Sequence, residues 1–419
     1  MQPSSSIEVS QFVPLTKTDP IVETLDSRQA FMAQYTSLLK HFAVRVCIAV
    51  TLGVFLLTAF EVYAFLHFHP GVNATELAAK VETVKNESPA EREYWAEFRQ
   101  ANKVTYHPWV LWRRQPYKGE LISIDENGIR QTLHTRCDDR TFTIWMFGDS
   151  VMWGAGAPDP ETIPSLIAAD YEKAGQPVCI VNYAEKGWAN TQEVIGLMEE
   201  LKHAKHKPDE VLFYDGGTEA FTAYQNGLVD VHSNYLSFKG YLDNLGAYEK
   251  GGFSYFAQTN TYRFLKKMGA QAPGQDKPVK ARNTDLNPDA ASTAIVENYL
   301  QNMEFVDLLA KQYGFRPIFA WYPNMAVGHK QLTSQEEQVL ASEYRVFPGL
   351  GPMYQAAYKR AREVNRPDLI YLGDMLDEQK NALYVGISHL NSEGNQIVAD
   401  RLFEILEQSE GKSRNGLGK

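Results

Sequence analysis

Short apolar runs alternate with segments of helical periodicity along most of this 419-residue chain, and that alternation limits the folds open to it. Strands that alternate with helices form crossover connections, which place the strands parallel in one sheet with helices on both faces. The sequence therefore predicts an α/β domain with a parallel sheet of about five strands. We place these strands at 142–147, 178–182, 210–214, 316–321 and 369–372.

Two stretches interrupt this alternation within a domain that we expect to span residues 104–408. The first, at about 221–290, is rich in Tyr, Phe, Asn and Gly, and the second covers about 324–351. Insertions of this kind usually lie over the carboxyl edge of a sheet, where they form a lid or a wall of the substrate site. Residues 409–419, rich in Gly, Ser and Lys, are predicted to be a disordered tail.

Residues 46–66 form an apolar stretch of 21 residues whose one charged member is Glu61. A helix of this length, at about 1.5 Å per residue, crosses the roughly 30 Å of hydrocarbon in a bilayer. Lys40 and Arg45 lie on its amino side, and no further Lys or Arg occurs before Lys80. By the positive-inside rule, the N-terminus is cytoplasmic and the main domain is periplasmic or extracellular.

Polar segments flank this predicted transmembrane helix. Residues 1–45 are predicted to be a mostly disordered cytoplasmic tail, and residues 67–103, which are charged and favour helix, to be a stalk. Glu61 lies near the outer end of the span. It either reaches the membrane interface or contacts a helix of a membrane-protein partner.

Charge and residue spacing argue against two classes of ligand. The formal net charge is −10, whereas nucleic-acid binding draws on clustered Lys and Arg. Arg113 and Arg114 form an isolated pair, which we expect to be solvated. The histidines lack the spacing of a metal site. The sequence therefore predicts no metal and no cofactor, and its net charge predicts no nucleic-acid partner. Cys137 and Cys179 either bridge neighbouring strands or are two unlinked side chains, and the sequence leaves both possibilities open.

A serine and a histidine lie where an α/β fold places its functional groups. Ser150 comes just after the first predicted strand, on the Gly148-Asp149-Ser150 turn, and His389 lies near the end of the chain. Because ligand sites of open α/β sheets lie at the carboxyl ends of the strands, we expect these two side chains to meet there. Acyl transfer needs such a nucleophile and base, with N–H donors for the oxyanion. Gly187, after the second strand, can present one.

Four segments, in this order, resemble the conserved blocks of SGNH/GDSL-type hydrolases, including members tethered to membranes. They are Phe147-Gly148-Asp149-Ser150, Gly187, Asp215-Gly216-Gly217-Thr218-Glu219 and Gly386-Ile387-Ser388-His389-Leu390-Asn391. The resemblance implies a flavodoxin-like three-layer α/β/α sandwich with no cofactor. It implies that Ser150 is the nucleophile, His389 the base, and the N–H groups of Ser150 and Gly187 the oxyanion donors.

Two positions depart from the family pattern. Thr218 stands where the family has an asparagine that completes the oxyanion hole, and Gly386 where it has the aspartate that orients the histidine. The Thr218 hydroxyl is a shorter donor. Asp374 or Asp377, after the fifth strand, could replace the missing acid or could only cap a turn. A Ser-His dyad without an acid also works, more slowly.

Two functions follow from these observations. The first is a membrane-anchored, extracytoplasmic SGNH-type serine esterase or O-acyltransferase that acts on a carbohydrate or cell-envelope polymer, with a carbohydrate or acyl-ester substrate. The second is a catalytically impaired protein of the same fold that binds glycan or stabilises a membrane assembly. Five aromatic residues near strand ends could stack on sugar rings or simply pack in the core: Trp153, Trp188, Tyr214, Tyr224 and Trp321.

Overall fold

A computed structural model describes residues 20–67, 89–243 and 286–416, which fall into two units that are treated separately. The first unit contains helix α1, Pro20–His67. Its segment Phe31–Tyr63, with a mean hydropathy of 2.2, is long and apolar enough to cross a membrane. The predicted span 46–66 lies within this helix.

Helix α1 also covers residues 20–45, where the sequence predicted a mostly disordered tail; that prediction is wrong for this part of the chain. Pro20 is well suited to the first turn of a helix, and no Pro or Gly follows before Gly53. Residues 1–19 of the predicted tail lie outside the described residues.

The second unit begins with helix α2, Pro89–Ala101, followed by two small antiparallel sheets. Strands β1 (Val104–His107) and β2 (Leu111–Arg114) form the first, and β3 (Tyr117–Lys118) and β4 (Ser123–Ile124) the second. Tyr94, Phe98 and Ala101 of α2 are buried in the core. Residues 89–101 therefore belong to the packed domain, although the sequence assigned them to the stalk.

Five parallel strands form the central sheet, which confirms the predicted fold. They are β5 (Phe142–Gly148), β6 (Val178–Asn182), β7 (Glu210–Asp215), β8 (Arg316–Trp321) and β9 (Leu369–Tyr371), in the spatial order β6-β5-β7-β8-β9. Numbered from the first of the five, this order is 2-1-3-4-5, that of flavodoxin-like folds. The order reverses at β5, so a crevice is expected beside the carboxyl end of that strand.

Helices cover both faces of this sheet, because alternate residues of each strand point to opposite faces. Ile144 and Met146 of β5 join one core cluster, and Trp145 and Phe147 join the other. The remaining helices are α3 (Ser150–Trp153), α4 (Ile163–Lys173), α5 (Asn190–His203), α6 (Gly217–Asn226), α7 (Tyr235–Asp243), α8 (Pro288–Tyr313), α9 (Ser334–Val346), α10 (Leu350–Arg362) and α11 (Ser392–Gly416). Side chains of α3, α4 and α11 belong to the first cluster, and those of α5, α6, α8 and α10 to the second.

The predicted insertions and tail differ from the structure. The stretch 324–351 contains all of α9, which begins with a capping box in which Thr333 and Glu336 bond to each other's backbone N–H. Of the stretch 221–290, residues 244–285 lie outside the described residues. Helix α11 continues to Gly416, so the predicted disorder of 409–416 is wrong, and residues 417–419 lie outside the described chain.

Cys137 and Cys179 form a disulfide, which settles the alternative that the sequence left open. Cys179 lies in β6, next to Thr143 of β5 in the parallel register. The bond therefore joins β6 to the segment that enters β5, at the end of the sheet opposite Ser150.

Candidate active site

The turn after β5 places Ser150 at the carboxyl edge of the sheet. Gly148 ends the strand, and an added Cβ there would lie 2.6 Å from the Tyr214 carbonyl oxygen, so that only glycine fits. Asp149 then caps helix α3, because its Oδ1 accepts a 2.7 Å hydrogen bond from the Val151 N–H. This tight strand-to-helix turn leaves Ser150, the first residue of α3, partly exposed.

The structure brings Ser150 and His389 together. His389 Nε2 lies 2.9 Å from Ser150 Oγ, although 239 positions separate the two residues. Burial, together with the positive charge of Lys186, lowers the pKa of His389 to about 4. The imidazole is therefore neutral at pH 7, as a group must be if it is to accept the serine proton.

Gly187 lies on a turn that is tied to the Ser150 turn. The Glu185 N–H donates a 3.0 Å hydrogen bond to the Gly148 carbonyl, and the buried Glu185 carboxylate pairs with Arg114 at 2.8 Å. Gly187 itself has a φ of +78°, a left-handed conformation that favours glycine. In the described part of the chain, neither the Ser150 N–H nor the Gly187 N–H has a protein acceptor, so both can serve an oxyanion.

Thr218 does not supply the third predicted oxyanion donor. Its hydroxyl donates to Asp149 Oδ2, the same atom that accepts a 2.5 Å hydrogen bond from the Tyr322 hydroxyl. Burial raises the pKa of Asp149, and these hydrogen bonds oppose that rise. The interaction holds the turn before α6 against the nucleophile turn. Thr218 thus positions Asp149, and its hydroxyl proton is engaged in that hydrogen bond.

Neither proposed substitute acid contacts His389. Asp374 pairs with Arg362 at 2.6 Å, and Asp377 accepts a 2.7 Å hydrogen bond from the His329 N–H. His389 Nδ1 instead faces Gly386, where an added Cβ would lie only 2.9 Å away. Among the described residues, the structure therefore brings Ser150 and His389 into contact without a carboxylate beside the imidazole, which packs against Gly386.

The prediction that Arg113 and Arg114 are solvated is wrong, because both side chains are almost fully buried. Arg113 stacks over Trp188, with its guanidinium carbon 4.3 Å from the ring centroid, and Arg114 pairs with Glu185. A third arginine, Arg130, went unnoticed in the sequence. The two small sheets therefore carry charged groups that support the loops on either side of Ser150.

Arg130 holds the loop that follows α3. Its guanidinium pairs with Asp159 at 2.8 Å and donates to the carbonyl oxygens of Gly154 at 2.6 Å and Ala157 at 2.7 Å. The same group lies 4.5 Å from the centroid of the Trp153 ring. No sequence motif marks this arginine, since its partners lie 23 to 29 residues further along the chain.

The five aromatic residues considered for sugar stacking are buried. Trp153, Trp188, Tyr214 and Trp321 have no exposed surface, and Tyr224 is 8% exposed. They therefore pack in the core, which was the second of the two readings that the sequence left open. No group of three His, Cys, Asp or Glu side chains that could hold a metal ion occurs among the described residues.

Two almost fully buried carboxyl groups, Glu193 and Asp215, interact electrostatically behind the Asp215–Glu219 segment. Asp215 Oδ2 accepts hydrogen bonds from Asn190 Nδ2 at 3.0 Å and from the Tyr299 hydroxyl at 2.9 Å, whereas neither Glu193 carboxyl oxygen has a hydrogen-bond partner among the described residues. Burial is the main cause that raises the pKa of both groups. The negative charge of Asp215 raises the pKa of Glu193 further.

Replacing Glu193 by glutamine should weaken the dependence of stability on pH. Carboxyls with a raised folded-state pKa bind more protons folded than unfolded, so the stability that they contribute is fully present in acid and is lost as pH rises through the folded-state pKa. The free energy of unfolding should fall by about 1.4 kcal/mol per pH unit for each retained proton as pH rises above about 4. Urea unfolding of the full chain in detergent at about pH 5, 6.5 and 8 measures this slope.

The matched control is Glu199→Gln on the same helix, at a partly exposed position paired with Lys202. This variant should leave the slope unchanged, whereas Glu193→Gln should reduce the slope by about 1.4 kcal/mol per pH unit, the contribution of one retained proton. An equal slope in both variants and the wild type would contradict the raised pKa of Glu193.

Comparison with known proteins finds similarity to solved structures and none to family models or curated sequences. An acetyl xylan esterase, AlAXEase, is 12% identical, with 63% of this chain and 98% of that chain covered and a TM-score of 0.33. A member of the lipolytic G-D-S-L family from Veillonella parvula is 14% identical, covering 63% and 97%, at 0.31. The esterase EstA from Pseudoalteromonas sp. is 11% identical, covering 64% and 99%, also at 0.31. Such distant likenesses carry no argument about the reaction, which has to rest on the site.

Proposed function

We propose that the chain is a membrane-anchored, extracytoplasmic serine esterase or O-acyltransferase of the SGNH type that acts on a carbohydrate or cell-envelope polymer. The distance of 2.9 Å between Ser150 Oγ and His389 Nε2 is the observation that carries this proposal. A nucleophile within hydrogen-bond reach of a neutral base is the minimum arrangement for acyl transfer. The polymer is proposed from the resemblance of the sequence blocks.

In the proposed reaction, Ser150 Oγ attacks the carbonyl carbon of the ester while His389 Nε2 takes the hydroxyl proton. The tetrahedral intermediate places its negative charge on the former carbonyl oxygen, which the N–H groups of Ser150 and Gly187 can stabilise. The intermediate then expels the alcohol, to which His389 returns the proton, and an acyl-serine remains. Water or a second hydroxyl attacks this ester by the same steps in reverse, which gives hydrolysis or transfer.

This site should be slower than a complete triad. The Thr218 hydroxyl is bound to Asp149, and the absence of one oxyanion donor costs about 10²- to 10³-fold in turnover. No carboxylate contacts His389 within the described residues, so the imidazolium formed during the reaction lacks a counter-charge. These effects act on one catalytic unit and do not multiply.

Two features support a location outside the cytoplasm. The Cys137–Cys179 disulfide is typical of oxidising compartments. Lys40 and Arg45 precede the apolar part of α1, and positive charge there favours a cytoplasmic N-terminus. Together they favour a domain that faces the periplasm or the exterior.

A specific observation favours the second candidate, a non-catalytic glycan-binding or structural protein. The Thr218 hydroxyl and the Gly386 position serve packing and loop contacts rather than the reaction. Ser150 and His389 nevertheless form a contact that a binding protein has no need to keep, and this makes the enzyme our first choice.

The experiment treats the full chain in detergent with a fluorophosphonate probe and measures hydrolysis of p-nitrophenyl acetate. We expect labelling and turnover in the wild type and neither in Ser150→Ala. Ser392→Ala, an exposed serine three residues after His389, is the matched control and should label normally. A folded wild-type protein that neither labels nor hydrolyses the ester would favour the non-catalytic protein.

A further inference from the structure

Four aromatic side chains form a ledge beside the candidate site, which we call the aromatic ledge: Tyr106 of β1, Trp109 of the β1–β2 turn, Trp112 of β2 and Phe238 of α7. Tyr106 is 74% exposed, Trp109 72% and Phe238 41%. The ledge thus presents large aromatic surfaces to solvent, in contrast to the five buried aromatic residues described above.

Strand register and ring contacts join Tyr106, Trp112 and Phe238 into one surface. Tyr106 and Trp112 are direct partners in the antiparallel ladder, and direct partners project from the same face of a sheet. The Trp112 and Phe238 rings are stacked, with centroids 6.5 Å apart and planes inclined by 17°. Trp109 lies in the turn that joins the two strands and is exposed, and we call this turn the outer end of the ledge.

The inner end of the ledge lies against the oxyanion loop. The Trp112 indole N–H donates a 3.1 Å hydrogen bond to the Lys186 carbonyl, next to Gly187. A Cβ added at Gly187 would lie 3.8 Å from the Trp112 ring. A long substrate held at Ser150, with its carbonyl oxygen at Gly187, can therefore extend outward along the ledge.

The backbone at the outer end is held in an unfavourable conformation. Trp109 has a φ of +69° and Leu111 a φ of +73°, a region that bulky side chains rarely adopt. Glycine or asparagine at position 109 would relieve the strain and remove an exposed indole from water. Strained residues of this kind cluster where a protein contacts a ligand.

We propose that the aromatic ledge is a subsite that stacks on the sugar rings of a carbohydrate polymer whose ester is held at Ser150; this rests on the proposed function. Flat aromatic rings with polar edges match a pyranose, which has apolar faces and a rim of hydroxyls. The exposed Tyr106 hydroxyl and Trp109 indole N–H can bond to that rim. Continuity with the Gly187 loop favours a polymer substrate over a lipid surface, which would have no reason to begin at the oxyanion loop.

The kinetic test compares a polymer with a small ester, using the full chain in detergent. Trp109→Ala and Tyr106→Ala should each raise KM for soluble O-acetylated xylan by about three- to tenfold, the effect of one lost aromatic contact. Hydrolysis of p-nitrophenyl acetate, too small to reach the ledge, should be unchanged. Phe305→Ala, at a 60% exposed aromatic on α8, is the matched control and should alter neither.

A fluorescence test separates a polymer from a membrane. In nanodiscs, the difference between the emission of the Ser150→Ala protein and that of Ser150→Ala/Trp109→Phe reports on Trp109. We expect aqueous iodide to quench this signal and O-acetylated xylan to protect it. Quenching by a nitroxide lipid, without protection by xylan, would overturn the proposal in favour of membrane contact.

The outcomes distinguish the ledge from the proposed function. An unchanged KM for the polymer in both ledge variants, together with no protection from iodide, overturns the ledge even if Ser150 is active. If the wild-type protein hydrolyses no ester, the proposal that the chain is an enzyme is overturned. Protection of Trp109 by xylan in the Ser150→Ala protein would still support the ledge as a glycan-binding surface.

Discussion

Changing His389 to alanine should lower the rate of p-nitrophenyl acetate hydrolysis by about 10²- to 10⁴-fold, the usual contribution of a positioned general base. The residue is the one base in the described chain within hydrogen-bond distance of Ser150 Oγ. Its lowered pKa, about 4, keeps it in the accepting form throughout the neutral range. Initial rates at saturating ester, with enzyme concentration set by active protein, measure the effect.

Two comparisons make this prediction specific. His134→Ala, an exposed histidine paired with Glu172, should have wild-type activity. Because Ser150 and His389 act as one unit, the double variant should be no slower than Ser150→Ala alone. Losses that multiply in the double variant would show that the two side chains act independently, contrary to the 2.9 Å contact.

Changing Arg130 to alanine should destabilise the domain by about 3–5 kcal/mol, the range for breaking a buried ion pair on one side. The side chain has no exposed surface, and its removal leaves Asp159 buried without its cation. Burial already raises the pKa of Asp159, and Arg130 opposes that rise. The carbonyl oxygens of Gly154 and Ala157 lose their donors at the same time. Urea unfolding followed by tryptophan fluorescence measures the loss.

Two further variants identify the cause. Arg136→Ala, in an ion pair whose arginine is 75% exposed, should change the free energy of unfolding by less than about 1 kcal/mol. The double variant Arg130→Met/Asp159→Leu should recover much of the stability, because it removes both buried charges. If Arg130→Ala alone is as stable as the wild type, the guanidinium does not support this loop.

The sheet could be predicted because its strands are largely buried and appear in the sequence as short apolar runs. Ser150 and His389 could be located because parallel strands end at one edge, so their positions after strands were enough. The contact between Thr218 and Asp149 could not be predicted. It depends on the direction in which one hydroxyl points, and the two residues are 69 positions apart.

The burial of Arg114 and Arg130 could not be predicted from the sequence for a related reason. Lys and Arg are rarely buried unless paired, so an arginine in irregular sequence is expected at the surface. Arg114 and Arg130 are buried because they form ion pairs with Glu185 and Asp159, which lie further along the chain and are brought close by the fold. Pairing of this kind arises only from the folded structure.

Helix α2 has a practical consequence for anyone who wishes to cut the domain free of α1. The Tyr94 hydroxyl accepts a 2.8 Å hydrogen bond from the Gly156 N–H, and Phe98 packs edge-on against Trp153 at 6.0 Å. A soluble fragment that begins at residue 104 would therefore lose part of the wall behind the nucleophile turn. Truncation should start upstream of Pro89 if the recombinant fragment is to keep the site intact.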